Sequence, residues 1–174
     1  MKLTPSEKLI VSMLASIMKH LKVEDGVNPD FVEDAVHSGH TWALDWEYQG
    51  LGVEEDKPEV VQETADILQM WFVIEGALDR LTPEERADLE KAAHPWGIEF
   101  RGFDGNSDPH FGVASFLVNK MRRFEERKGK EMNSHSHLEL GRYRSMLERY
   151  NHIAPNVHFK LRKVDLAEIL KAEK

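Results

Sequence analysis

The run PEVVQETADILQMWFVIEGALDRL, Pro58 to Leu81, decides the fold. Val60, Val61, Thr64, Ile67, Leu68, Trp71, Ile74, Leu78 and Leu81 recur at spacings of three and four, which marks the longest helix of the chain. Met70, Phe72, Val73 and Ala77 widen the apolar arc over the later turns. So little polar surface is left there that protein is expected on both sides, with this helix in the middle.

Working outward, the same helical grammar repeats. Thr82-Pro83-Glu84-Glu85 opens the next helix, because a threonine can accept from the backbone N–H three residues on, proline needs no donor there, and the glutamate reaches back. Thr4-Pro5-Ser6-Glu7 has the same form, and Leu9, Ile10, Met13, Leu14, Ile17, Met18 and Leu21 then give one broad apolar face, core or interface, up to Glu24-Asp25-Gly26. Asn28-Pro29-Asp30 starts a short helix that Ser38-Gly39 ends. Trp42 and Trp46 share a face of the next, which Gly50 would terminate before an acidic connector from Leu51 to Lys57.

Asp108-Pro109 opens a helix with Phe111, Ala114, Leu117, Val118, Met121 and Phe124 inward and Arg122, Arg123, Arg127 and Lys128 solvated. Further helices carry Leu140 to Ile153 and, from Val164, Leu166, Ile169 and Leu170. The expectation is therefore an all-α fold, mostly helical, of about seven helices around a long central one, in a single domain spanning 1–174. One small two-stranded β ribbon is allowed for, since Ile98-Glu99-Phe100 and Val157 to Leu161 both alternate and could pair.

Of 174 residues, 41% are apolar and 31% charged, a globular composition. The absence of cysteine removes disulfides, thiolate metal sites and cysteine nucleophiles together. Neither a signal-peptide core nor a run of 18 apolar residues is present, so a cytoplasmic location without membrane contact is expected. The net charge of -8 opposes general nucleic-acid affinity, so nucleic acid is not an expected partner. The halves differ: residues 1 to 100 hold 8 Lys/Arg and 21 Asp/Glu, residues 101 to 174 hold 15 and 10. Acidic helices packing beside basic ones, within the chain or across a homo-oligomer, account for this. A basic binding face in the C-terminal half is the alternative, although Glu125, Glu126, Glu131 and Glu139 interrupt its run of cations.

Several segments together resemble the YfbU-like family: Leu9-Ile10, Asp66-Ile67-Leu68-Gln69-Met70-Trp71, Phe100-Arg101-Gly102-Phe103-Asp104 and Tyr143-Arg144-Ser145-Met146-Leu147. The motif residues are Asp66, Met70, Trp71, Phe100, Gly102, Phe103 and Asp104. The resemblance implies a compact helical bacterial domain, some relatives of which are joined to helix-turn-helix segments, which hints at ligand sensing. It brings no catalytic residues with it.

Three constellations bear on chemistry. Glu59, Glu63 and Asp66 fall on one face of the central helix and could hold Mg²⁺ for phosphate chemistry, the basis of a metal-dependent nucleotide phosphohydrolase reading. The upstream Glu-x-x-Glu pair that such enzymes need is missing, which favours a solvated acidic face. The pairs His37/His40 and His135/His137 lack a third convergent ligand. Phe103 to Asp108 concentrates turn formers but fails the calcium-loop test, since position twelve counted from Asp104 is Ser115, so a turn held by Asp104, with Asp108 capping a helix, is expected.

Trp42, Trp46, Tyr48, Trp71 and Trp96 fill a core or else line a pocket, in which His40, Asp45 or Arg101 would orient a small-molecule guest; His40, Trp42, Trp46, Trp71 and Arg101 are the ligand-binding candidates. With no complete catalytic constellation, the expectation is a self-associating ligand-sensing or regulatory binding domain without a cofactor.

Overall fold

The computed structural model describes residues 3–23, 26–48, 59–93, 97–135 and 137–171. Gly50, the connector 51–57, Pro58 and Trp96 lie outside them. The described chain is all-α, with α1 (Pro5–Leu21), α2 (Pro29–Ser38), α3 (Trp42–Glu47), α4 (Glu59–Leu78), α5 (Pro83–Ala92), α6 (Pro109–Asn119), α7 (Leu140–Ile153) and α8 (Lys163–Leu170). Three of the helix starts are those the capping residues dictate, those of α1, α2 and α5. Thr4 and Thr82 each close a full capping box, with Glu7 and Glu85, and the Asn28 carboxamide accepts from the N–H groups of Asp30 and Phe31. None of the described helices is long and apolar enough to cross a membrane.

The chain forms two compact units, residues 1–59 with 115–123, and residues 60–114 with 124–174. In the first, α1 lies against α2 through its small side, where Ala15 is buried and Ser12 Oγ meets His37 Nε2 at 3.0 Å. Lys19 Nζ reaches Asp30 at 2.6 Å and Glu33 at 2.7 Å, holding the pair at the end of α1. Phe31, Ala35 and Val36 of α2, Ala43 and Leu44 of α3, and Phe116, Leu117 and Val118 of α6 are buried.

The second unit is organised by α4, where Val61, Thr64, Ile67, Leu68, Met70, Trp71, Ile74, Ala77 and Leu78 are all buried. The arc is not covered all round as expected, since Phe72 is 49% exposed and Val73 half-buried. Tyr143 and Met146 of α7 and Leu166, Ile169 and Leu170 of α8 complete its core with Leu89 of α5. The Arg149 guanidinium donates to the carbonyls of Ile169 and Lys171, satisfying acceptors that the end of α8 leaves open.

Three further expectations are corrected. No ribbon joins 98–100 to 157–161: Ala154–Val157 is a 3-10 turn, and His158 and Phe159 follow with positive φ of 49° and 59°, which an extended strand cannot contain. The extended pairing among the described residues is instead two isolated bridges, Ala93 to Lys171 and Phe103 to Asn133. The helix from Asp108 does not run on to Lys128. It ends at Asn119, and Arg122 and Phe124 both take left-handed backbone. In consequence Arg127 sits on a separate 3-10 turn and is buried rather than solvated.

Gly102 is fixed by the Phe103 bridge. Its φ is +85°, and a Cβ there would lie 2.1 Å from the carbonyl oxygen of Met132, the same oxygen that accepts from the Phe103 N–H. Gly102→Ala is therefore expected to cost about 2 kcal/mol or more in urea unfolding, with strained backbone and a broken bridge acting together.

Candidate functional site

The family-motif residues converge in the second unit. Tyr143 is in ring contact with Trp71, Phe100 and Phe103, at centroid distances of 5.7, 5.4 and 5.8 Å, and Phe100 touches Trp71 and Phe103 as well. The Tyr143 hydroxyl accepts from the Arg101 N–H at 3.0 Å, and burial pushes its pKa up. Met70 is fully buried on the same helix as Trp71. The sequence brings together α4, the 100–104 segment and α7, and the four rings fill the space between them.

Two arginines lie against this cluster. The Arg127 guanidinium lies 4.4 Å from the Phe100 ring centre and pairs with Glu75 at 2.9 Å, so the π face compensates a cation whose Nε and Nη2 are buried without hydrogen-bond partners. Arg142 stands 5.6 Å from both the Trp71 and Tyr143 rings and pairs with the fully buried Glu139 at 2.9 Å. The sequence reads Arg127 as solvated and gives Arg142 no buried role, because a cation on a polar-looking run gives no signal of burial until its aromatic partner is placed.

Asp104 is buried and organises the turn that follows. Its carboxylate accepts from the Asn106 N–H at 3.0 Å and from Ser107 Oγ at 2.6 Å, while Asp108 Oδ2 accepts from the Asp104 N–H. Asp104 thus holds a turn, as its sequence context indicated.

The carboxylate row of α4 is committed elsewhere. Glu63 receives a two-pronged bond from Arg144, Nε to Oε1 at 2.7 Å and Nη2 to Oε2 at 2.8 Å, and His110 Nε2 meets Oε2 at 2.7 Å. Arg144 chiefly, with His110, brings the Glu63 pKa down to about 2. Asp66 accepts from Gln62, and Glu59 is exposed. Among the described residues no three His, Cys, Asp or Glu side chains are gathered as a metal ion needs. The row is one of ion pairing instead: Glu63 joins α4 to α6 and α7.

The five ligand-binding candidates divide between the units. Trp71 fills the core of the second, and Arg101 is an exposed residue there whose backbone serves Tyr143. His40, Trp42 and Trp46 belong to the first, where Trp42 Nε1 and His40 Nδ1 lie 3.2 Å apart, the His40 ring lies 4.8 Å from Phe116, and Trp42 touches Trp46 at 5.7 Å. Burial holds the His40 pKa down. Phe31 links this group to Tyr48, whose hydroxyl accepts from the Asn28 N–H. Beside them is a cavity of about 290 Å³ lined by Asn28, Phe31, Glu47, Tyr48, Lys120 and Arg122.

The feature with the largest consequence is on α1. Leu9, Ile10, Met13, Leu14, Ile17 and Leu21 are between 51% and 66% exposed, so the broad apolar stripe of this helix is not core. Only Ala15, on the opposite side of the helix, is buried. Scattered surface leucines need no explanation, but a continuous stripe at helical spacing does.

The YfbU domain family matches the chain over residues 1–172. No curated protein shows a significant match.

The Glu63 pairing has a pH signature. Its folded pKa of about 2 lies below the ordinary 4.5, so its contribution is present in full above about pH 4.5 and is lost as pH falls toward 2. Glu63→Gln should cost about 1–2 kcal/mol at pH 7, allowing for partial solvent screening, and the difference from the parent protein in urea unfolding should shrink steadily below pH 4.5.

Proposed function

The chain belongs to the YfbU domain family, and we propose that it is a cytoplasmic, self-associating binding domain with a regulatory role, acting through surfaces rather than through a catalytic centre of its own. The observation that carries this reading is the exposed α1 stripe. Six long aliphatic side chains on one helix face cost solvation free energy in an isolated chain, and their helical spacing is that of a helix–helix contact.

The carboxylates proposed for phosphohydrolase chemistry do not favour that alternative, because both oxygens of Glu63 are already held by Arg144 and His110. The basic C-terminal half likewise offers less free charge than its composition suggests: Arg127, Arg142 and Arg144 all stand in ion pairs.

Ligand sensing is a second reading, supported by the cavity beside Phe31 and Tyr48, which is near the lower end of small-molecule sites at about 290 Å³ and has Lys120 and Arg122 among its walls. A small carboxylate or phosphate-bearing guest would compete with Asp34, which pairs with Lys120 at 2.7 Å, and would sit away from the Glu47 carboxylate in the same wall. Such a ligand should raise the melting temperature, since at 100 times its dissociation constant it adds about 2.7 kcal/mol, and Lys120→Ala should weaken the effect.

Self-association is tested by light scattering of the native chain beside Ile17→Asp. The native chain is expected to be oligomeric at about 100 μM or below, and Ile17→Asp to scatter as a 20.1 kDa monomer with unchanged helix content, since Ile17 is half exposed in the single chain. A native chain that stays monomeric throughout would overturn the reading.

A further inference from the structure

The occupant of the α1 stripe can be specified further on the self-association reading. We infer that a second copy of the chain lies antiparallel across α1, about a twofold axis passing between Leu14 and Ile17. Ile10, Leu14, Ile17 and Leu21 are separated by four, three and four residues, a spacing that reads the same in both directions. A reversed copy therefore sets Ile10 against the copy's Leu21 and Leu14 against its Ile17, and each contact occurs twice. This self-complementarity is what a closed twofold interface requires. The three-and-four alternation is also the seam that lets two helices interlock side chains. Leu9 and Met13 border the seam and extend it.

Area and charge agree with this occupant. Six half-exposed aliphatic side chains offer on the order of 700 Å² of apolar surface per chain, above the patches usual on monomers and close to the roughly 800 Å² each partner gives a standard interface. The packed side of α1 carries Ala15, so the helix has committed its small residue to α2 and left its large ones for something else. Orientation follows from the ends. The first turn of α1 carries Glu7 and the last turn His20, Lys19 being turned to Asp30 and Glu33 of α2. Parallel pairing would set like charges and like helix-dipole ends beside one another, whereas antiparallel pairing opposes them.

The native chain has no cysteine, so Ser6→Cys and Ser16→Cys each supply one spin-labelling site, both exposed and outside the seam. At 1.5 Å per residue, the two copies of position 6 are about 28 Å apart along an antiparallel pair, while the two copies of position 16 lie nearly level with the axis. The inter-label distance at position 16 is expected to be shorter than that at position 6 by more than about 10 Å. A dimer with short distances at both positions is parallel, and one with long distances at both uses another surface. Either result overturns this inference and leaves self-association standing. A native chain that is monomeric by light scattering, or that goes to lipid vesicles as a monomer, overturns both.

Discussion

Tyr143 touches three aromatic rings at once and binds the backbone of the segment that supplies two of them, and the second unit is built around that contact. Its hydroxyl takes the Arg101 N–H, which fixes where the 100–104 segment enters; Gly102 then brings the backbone against Met132, and Asp104 ties the turn into α6. Each step depends on the one before it. Five of the motif residues are therefore intelligible as architecture: the rings of Trp71, Phe100 and Phe103, Gly102 forced by close approach, and Asp104, whose carboxylate satisfies a turn.

The polar groups around this core follow from its dryness. A guanidinium beside an aromatic cluster needs both a carboxylate and a π face, and Arg127 and Arg142 each have both. Glu63 does the same work at the surface, joining α4 to α6 and α7 through His110 and Arg144. Glu63 of the acidic row and Arg144 of the basic half are thus paired with each other, as Arg127 and Arg142 are with Glu75 and Glu139. Among the described residues, the outward side of α1 is the longest exposed apolar stripe on one helix.

Much of the fold was legible in the sequence because helix starts are local chemistry. Thr4, Asn28 and Thr82 cap the helices they were expected to cap, and most of the long apolar arc of 60–78 is buried, although Phe72 is 49% exposed and Val60 and Val73 are half-buried. The alternation at 157–161 misled, since period two was present but Pro155 and the left-handed residues after it make a turn. The end of α6 was also hidden, as nothing in the composition of 119–124 announces the positive φ of Arg122 and Phe124. For the candidate site, the motif residues were legible as a set but not their purpose. The α1 stripe was legible as apolar; its exposure was not, because periodicity shows which side of a helix is hydrophobic and cannot show whether the covering surface is in the same chain.

The account turns on whether that face is covered by a second chain. The most direct measurement is an isotope-filtered methyl NOE experiment on a mixture of labelled and unlabelled protein, which reads only contacts between chains. Intermolecular contacts are expected among the methyl groups of Ile10, Met13, Leu14, Ile17 and Leu21. Their absence, with those methyls in contact with water, would contradict it.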